Sequence, residues 1–336
     1  MTSLVTPTKH ELQTEIDHYL EYCVSKQLRP KTMKAYEQGL RLFGKWTEQQ
    51  GGLEYCEDIS EAVIRRYIVH LQRRGKYTLN AKDDDELNNY PWNRTDYREA
   101  ISNTTINNYI RYLRAFFLWL EYEEILERTP MKRVKVLPDQ RKPKEYLEDD
   151  EVKELLEVLD KSNFCEYRDL IVMMIMLDSG TRLGETLSIE ETQIDLKERT
   201  IFLPADKTKS RKARNAFFSR KTAAEIKKWL RFKKKACASN YAFPMVKNGE
   251  MLDVSRYEKR FRDYIKRTSI TKHITPHTLR NNFAKRCLLS GMDIYTLSRI
   301  LGHSSVTVTE EAYLDVKDME LKGRYQSHSP IKNIWK

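Results

Sequence analysis

In the first third of the chain, four stretches repeat an apolar residue every three or four positions. Their apolar residues are Leu12, Ile16, Tyr19, Leu20 and Cys23; Tyr36, Leu40, Phe43 and Trp46; Ile59, Val63, Tyr67 and Leu71; and Ile106, Ile110, Leu113, Phe117 and Leu120. This period is typical of amphipathic helices, so we expect a helical bundle over residues 8–127. Residues 76–102 interrupt the period with a run of acids and Tyr90-Pro91-Trp92, which predicts an extended loop or insertion.

A basic, proline-containing segment follows the predicted bundle. Residues 127–146 contain seven Lys/Arg and three prolines, and proline disfavours helix at the residue before it. We expect a linker over residues 128–146. Its charge would either keep a solvated linker soluble or follow a phosphate backbone, which makes Lys132, Arg133 and Lys135 candidate DNA-binding residues.

A second domain is predicted over residues 147–336. Acidic residues 148–151 suit the first turn of a helix, and the apolar run LIVMMIML leads to the turn Gly180-Thr181-Arg182. Residues 193–219 alternate as strands do, and helices are expected from Lys221 to the end. The predicted fold class is therefore mainly α, with a small antiparallel β-sheet in the carboxy-terminal domain.

The composition indicates which kind of molecule the protein binds. The 336 residues carry a formal net charge of +11, which favours a polyanion such as nucleic acid. No apolar run is long enough to cross a bilayer, and the amino terminus has no signal-peptide pattern. The five cysteines are scattered and none is spaced as CxxC, which favours a reducing compartment. We therefore expect a cytoplasmic protein, associated with the nucleoid, that has no membrane partner.

Two motifs in the second domain could hold one phosphate. The planar guanidinium of Arg182 can take two phosphate oxygens, although Glu185, three residues on, could instead hold it in a structural ion pair. His277 and Arg280 lie one turn apart after Pro276, so both can face the same phosphate. No nucleotide-binding glycine loop, zinc motif or paired-carboxylate signature is present, and we expect neither a metal nor another cofactor.

The order of these motifs resembles the tyrosine recombinase (phage integrase) family over most of the chain. The matching segments are Ser179-Gly180-Thr181-Arg182-Leu183-Gly184-Glu185, His277-Thr278-Leu279-Arg280, Leu301-Gly302-His303 and Tyr313. The resemblance implies a SAM-like core-binding domain and a catalytic domain that together form a two-domain DNA clamp. This chain departs from the family at Asn281-Asn282-Phe283, where a histidine and a threonine are common, and we interpret the departure as local packing.

The resemblance also implies a role for each site residue. Arg182, His277, Arg280 and His303 would surround the scissile phosphate, with Glu185 as support, and Tyr313 would be the nucleophile. Tyr325 competes with Tyr313 by residue type alone, as does Tyr295, which we expect in the core. The general acid would be Lys207, with Lys209 as the second choice.

The basic hairpin around these lysines is also expected to bind DNA. Residues 207–235 contain thirteen Lys/Arg and one acid. The candidate DNA-binding residues of the turn are Lys209, Arg211, Lys212 and Arg214.

The implied activity is site-specific cleavage and rejoining of DNA through a 3′-phosphotyrosyl intermediate, for integration or excision of a mobile element. The partners would be double-stranded DNA, a homotetramer on paired sites, and a directionality or accessory DNA-bending protein. The short segment before the first helix favours a transposon, integrative-element or Xer-like member without an arm-binding domain. Two alternatives stay open: a type IB topoisomerase and a DNA-binding regulator without catalysis.

Overall fold

The computed structural model describes residues 9–79, 91–138, 145–208, 210–303 and 305–313. The chain divides into two compact units, Met1–Arg141 and Lys142–Lys336. Within the described ranges, no helix has both the length and the apolar character that a membrane span requires.

The described residues of the first unit form four α-helices. These are α1 (Leu12–Ser25), α2 (Pro30–Gln50), α3 (Glu61–Arg73) and α4 (Asn103–Tyr122). Ser60 and Ser102 accept hydrogen bonds from backbone amides in the first turns of α3 and α4, which explains where those helices begin. The apolar faces meet in an aromatic core, where the Phe43 ring lies 5.0 Å from that of Tyr67 and 6.2 Å from that of Phe117.

Two irregular segments complete the first unit. In the described part of the predicted insertion, Ala100 forms an isolated bridge with Gly75, the residue just before the insertion, while residues 80–90 lie outside the described residues. Residues 131–138 of the predicted linker pack on the bundle, because Met131 and Val134 are buried in its core. The Asn107 side chain also accepts from the amide of Leu137 and donates to its carbonyl.

The second unit surrounds the buried helix α6 with further helices and a three-stranded sheet. Its elements are α5 (Asp149–Glu157), α6 (Phe164–Ser179), α7 (Leu183–Leu187), β1 (Ile194–Asp195), β2 (Thr200–Leu203), β3 (Arg214–Phe217), α8 (Arg220–Ala236), α9 (Val254–Ile265), α10 (Pro276–Leu289), α11 (Ile294–Leu301) and α12 (Val306–Tyr313). The sheet is antiparallel in the order β1-β2-β3, with Ile201 opposite both Ile194 and Ala216. The predicted fold class, mainly α with a small antiparallel sheet, is confirmed.

Two local features of this unit depart from simple helix packing. The expectation of helix throughout the chain after Lys221 is wrong for residues 237–253, because buried Ala242 and Phe243 hold this segment against the chain before β1. There the amide of Ala242 donates to the carbonyl of Ile189. At the other end of the unit, the buried Asn282 amide bonds both the N–H and the C=O of Leu147, 135 residues earlier.

Candidate active site

A glycine turn at the end of α6 delivers the first arginine. Gly180 has φ +64°, and a Cβ at this position would lie 2.3 Å from Cδ1 of Phe283, so neither the conformation nor the space suits a side chain. Just after this turn, Arg182 occupies the residue before α7. Its guanidinium is thereby held at the end of a rigid, buried helix.

A single carboxylate, Glu185, fixes two arginines. It accepts hydrogen bonds from the Arg182 guanidinium at 2.9 Å, from the Arg182 amide at 3.0 Å and from Arg214 at 2.7 Å. Burial raises the pKa of the Glu185 carboxyl, but the hydrogen bonds and positive charges of Arg214 and Arg182 outweigh burial and lower that pKa to about 2. The carboxylate is therefore ionised at neutral pH, and the ion pair considered from sequence is present.

Arg214 lies inside this cluster, although the sequence suggested only a DNA-backbone contact. Besides Glu185, its Nε bonds the carbonyl of Ile300 at 3.2 Å. Its side chain also passes so close to Gly302 that a Cβ there would lie 2.8 Å from Cδ of Arg214. Strand alternation is the signal that could have found it, because Arg214 and buried Ala216 lie on the same face of β3.

The second predicted arginine, Arg280 on α10, is almost completely buried and bridges two helix ends. Its guanidinium donates to the carbonyl of Gly180 at the end of α6 and to that of Leu301 at the end of α11, the latter at 2.8 Å. Carbonyl ends of helices carry partial negative charge, which favours a cation there. One turn earlier on α10, His277 is exposed.

His303 connects Arg280 to the last helix. Its Nε2 lies 3.0 Å from Arg280 and its Nδ1 lies 2.7 Å from the hydroxyl of Thr309. Burial, together with the charges of Arg280, Arg182, Arg214 and His277, lowers the pKa of His303 to about 4, so the ring is neutral at pH 7. Thr309 was not identified from sequence, although it stands only four residues before Tyr313 in the chain.

The structure describes the three candidate tyrosines to different extents. Tyr313 is the final residue of α12, and its side chain lies outside the described part of the molecule, as does all of Tyr325. The expectation that Tyr295 is a core residue is wrong, because 69% of it is exposed. The buried face of α11 is formed by Leu297, Ser298 and Leu301 instead.

No described contact joins Lys207 to the cluster formed by Arg182, Arg214 and Arg280. Lys207 ends a short 3-10 turn, and its ammonium bonds Glu190 at 2.6 Å and the carbonyl of Ser188 at 3.2 Å. Lys209 lies outside the described residues.

An open cleft of about 720 Å³ adjoins His303. Its walls include Lys212, Arg214, Arg299 and Gly302, so three cationic side chains face it. Arg211, Lys132, Arg133 and Lys135 are exposed, as a contact to DNA requires. In the described ranges, no three His, Cys, Asp or Glu side chains are grouped so that they could hold a metal ion.

Two family models match the chain. The phage integrase family matches residues 145–320, more than half of the chain, and the phage integrase N-terminal SAM-like domain matches residues 16–82. This chain belongs to the phage integrase family. The family resemblance seen in the sequence is confirmed, and the chain is a tyrosine recombinase, an enzyme of DNA strand transfer.

Relatives of this integrase-family chain match it over nearly its full length. The tyrosine recombinases XerC of Escherichia coli O157:H7 and of Shigella flexneri are each 23% identical to it over 321 residues, which cover 95% of this chain and 97% of theirs.

Solved structures share the fold at lower identity. The Tn1549 transposon integrase in complex with transposon right end DNA has a TM-score of 0.72 and 17% identity, covering 95% of this chain and 99% of that one. The XerH recombinase bound to its difH substrate has a TM-score of 0.68 and 16% identity, with coverages of 96% and 99%. A lambda integrase tetramer bound to a Holliday junction has a TM-score of 0.66 and 15% identity, with coverages of 92% and 78%.

Proposed function

We propose that this chain recombines DNA at specific sites by cleaving and rejoining strands through a covalent bond to Tyr313. The proposal rests on the cluster of Arg182, Arg280 and His303, which lies beside a cationic cleft. Helix α12 begins shortly after His303 in the chain. Such a cluster can stabilise a phosphate oxyanion. The tyrosine at the end of α12 supplies the matching nucleophile.

The reaction is an in-line displacement at phosphorus. The phenolic oxygen of Tyr313 bonds to phosphorus as the bond from phosphorus to the 5′ oxygen breaks, which leaves a 3′-phosphotyrosyl bond and a 5′-hydroxyl. We assign the departing phenolic proton to His277. Attack by the 5′-hydroxyl of another strand reverses these steps and releases the enzyme. The phosphodiester energy is retained throughout, so no nucleotide cofactor is required.

The arginines act on the charge that develops on the non-bridging oxygens. Arg182 is held by Glu185, and Arg280 is held by two helix-terminal carbonyls. Donors fixed before the substrate arrives need little reorganisation during the reaction, which is the physical origin of electrostatic catalysis. We therefore assign Glu185 the role of positioning Arg182 and Arg214, and the two predicted arginines the role of binding the phosphate.

The 5′ oxygen requires a proton, and a lysine of the β2–β3 connection is the candidate acid. Lys207 is occupied by Glu190, so it would have to leave that ion pair to reach the phosphate. Lys209 lies outside the described residues. We retain both lysines as candidates for the acid.

We also propose the setting in which this chemistry occurs. The two units would embrace duplex DNA, and four copies would act on paired sites; the lambda integrase neighbour is a tetramer bound to a Holliday junction. The Tn1549 neighbour favours a mobile element as the substrate. An accessory DNA-bending or directionality protein, and action at the nucleoid, belong to the same proposal.

Trapping the covalent intermediate tests the function. A nicked suicide substrate loses the strand that would reverse cleavage, so the wild-type protein should accumulate a protein–DNA adduct. Tyr313→Phe should bind the same DNA without forming an adduct, because only the phenolic oxygen is lost, whereas the control Tyr325→Phe should form it normally. An adduct in Tyr313→Phe would disprove the assignment. Absence of an adduct in the wild type would favour a regulator, and relaxation without exchange between two duplexes would favour a topoisomerase.

A 5′-thiol leaving group identifies the general acid. A thiolate departs without a proton, so a variant lacking the acid should cleave an ordinary 5′-oxygen substrate slowly and the thiol substrate at the wild-type rate. Lys207→Ala and Lys209→Ala form a matched pair in the same turn. Rescue confined to one of them assigns the acid, and rescue in neither excludes both lysines.

A further inference from the structure

The contacts of His303 define which ring nitrogen carries the proton in the DNA-free protein. The guanidinium of Arg280 has donors and no acceptor, so Nε2 of His303 must accept its hydrogen bond at 3.0 Å. The neutral ring then has its proton on Nδ1, which donates to the hydroxyl of Thr309 at 2.7 Å. The resting ring is therefore the Nδ1–H tautomer.

This tautomer is the wrong one for binding a phosphate. A phosphate oxygen accepts hydrogen bonds, whereas Nε2 in the resting ring has no proton to donate. When DNA enters, the guanidinium of Arg280 gains an anionic partner in the phosphate, and Nε2 loses its donor. A neutral His303 can then bond the phosphate only as the Nε2–H tautomer, which leaves Nδ1 as an acceptor that needs a donor.

We propose that the hydroxyl of Thr309 is the reversible partner that permits this change of tautomer. A hydroxyl both accepts and donates, so rotation about its C–O bond converts it from acceptor of Nδ1–H to donor to Nδ1. Thr309 is completely buried, so water does not readily take its place. The inference deepens the recombinase function proposed above and rests on it.

The proton count stays balanced in this exchange. The ring gains a proton at Nε2 from water in the adjoining cleft and loses its Nδ1 proton to water that reaches it when α12 moves transiently away from His303, so its charge does not change. A route through the imidazolium is opposed by the surrounding cations, which are Arg280 and His277 on α10, Arg182 before α7 and Arg214 on β3. These charges make the neutral exchange the favoured route.

The position of Thr309 connects the exchange to the nucleophile. Thr309 and Tyr313 are four residues apart on α12, so one helix carries both the partner of the histidine and the proposed nucleophile. His303 can become a phosphate donor only while α12 is seated against it. Thr309 is thus a positioning residue that acts through His303 and does not itself contact the substrate.

Nitrogen NMR of the full chain reads the tautomer directly. With ¹⁵N-labelled histidine, we expect His303 to be Nδ1–H in the free Tyr313→Phe protein and Nε2–H when an uncleaved DNA site is bound. The signal is assigned by its loss in His303→Asn. An Nε2–H ring in the free protein, or an imidazolium or unchanged Nδ1–H ring on DNA, would overturn the proposal. This measurement does not depend on cleavage, so it can fail while the wild-type adduct still forms.

Side-chain variants separate the hydroxyl from the shape of the residue. Thr309→Val keeps the shape and removes both hydrogen-bonding roles, so single-turnover cleavage should fall by about 10–100-fold, the range typical when the hydrogen-bond partner of a metal-bound histidine is removed, with DNA affinity little changed. Thr309→Ser should recover most of the rate. The matched control is Thr307→Val on the exposed face of the same helix, which should cleave normally. Equal rates for Thr309→Val and Thr309→Ser would contradict the role of the hydroxyl.

Discussion

The two units differ in how completely their buried polar side-chain atoms are hydrogen-bonded. In the first unit, four buried side-chain atoms have no hydrogen-bond partner among the described residues: Tyr67 Oη, His70 Nε2, Arg74 Nε and Trp119 Nε1. The described residues of the second unit have no such atom, although more of its buried side chains are charged. Asp169, for example, is fully buried and accepts from Arg168, Arg260 and Tyr264.

The two units are therefore stabilised by different interactions. The first unit is held together by apolar area and ring packing, and it tolerates several unmade hydrogen bonds, each costing about 1–3 kcal/mol when the atom is fully desolvated. The second unit buries charge, which is unfavourable unless every charge is paired, and in return its guanidinium groups are fixed in direction. Mutations in the first unit should therefore change stability, and mutations of the paired charges in the second should change chemistry.

The largest expected effect is on the stability of the first unit. Phe117→Ala removes a fully buried ring of α4 that packs against Phe43 of α2, and should lower the free energy of unfolding by about 3–5 kcal/mol. Urea unfolding followed by circular dichroism measures the loss. The control Tyr67→Phe removes an oxygen that has no described partner, and it should leave stability unchanged or raise it by about 1 kcal/mol. A large loss in Tyr67→Phe would show that this hydroxyl has a partner after all.

The second prediction concerns the paired charges of the site. Arg182→Ala and Arg280→Ala should each slow single-turnover cleavage by roughly 10²–10³-fold, about 3–4 kcal/mol, with a smaller loss of DNA affinity. Arg299→Ala is the matched control, because Arg299 lines the cleft and is exposed. It should weaken DNA binding and reduce its salt dependence more than it slows cleavage. Near-normal cleavage by both site variants would refute the assignment.

The smallest expected effect is a change in the free energy of unfolding that appears only at acidic pH. The pKa of Glu185 is lowered from 4.5 to about 2, so its ion pairs contribute stability above pH 4.5 that is lost as the pH falls towards 2. The full contribution is on the order of 3 kcal/mol. His303, whose pKa is lowered from 6.5 to about 4, acts in the same direction at higher pH. Unfolding free energies of wild type and Glu185→Gln should therefore differ in slope below pH 4; parallel curves there would contradict the shared carboxylate.

Much of the fold could be predicted because local patterns determine it. The apolar period predicted the four helices of the bundle, and the acids at 148–151 marked the start of α5. Residues 237–253 could not be predicted in this way, because their course depends on contacts with residues 189–191, which are distant in sequence. Tyr295 was misjudged for a related reason: an apolar helix has a solvent face, and only tertiary packing determines which residues occupy it.

The candidate site could be predicted only in part. Arg182, Arg280 and His303 were identified because their motifs are recognisable in order, and the structure brings them together. Arg214 was taken for a surface cation, because a basic hairpin does not reveal which of its charges turns towards Glu185. Thr309 lacks any charge, and its importance depends on the distance to one ring nitrogen, which no sequence pattern reports.

The two hydrogen bonds between the Asn282 side chain and Leu147 form a clasp that has a consequence for the folding of the newly synthesised chain. It joins the first residues of the second unit to α10 across 135 positions, and α10 carries Arg280. A chain emerging amino terminus first cannot close this clasp until most of the unit has left the ribosome, and contacts so distant in sequence form slowly. The first unit is synthesised before the second and can complete its fold earlier. A truncated translation product that ends before α10 would therefore contain the first unit without Arg280 and its contacts.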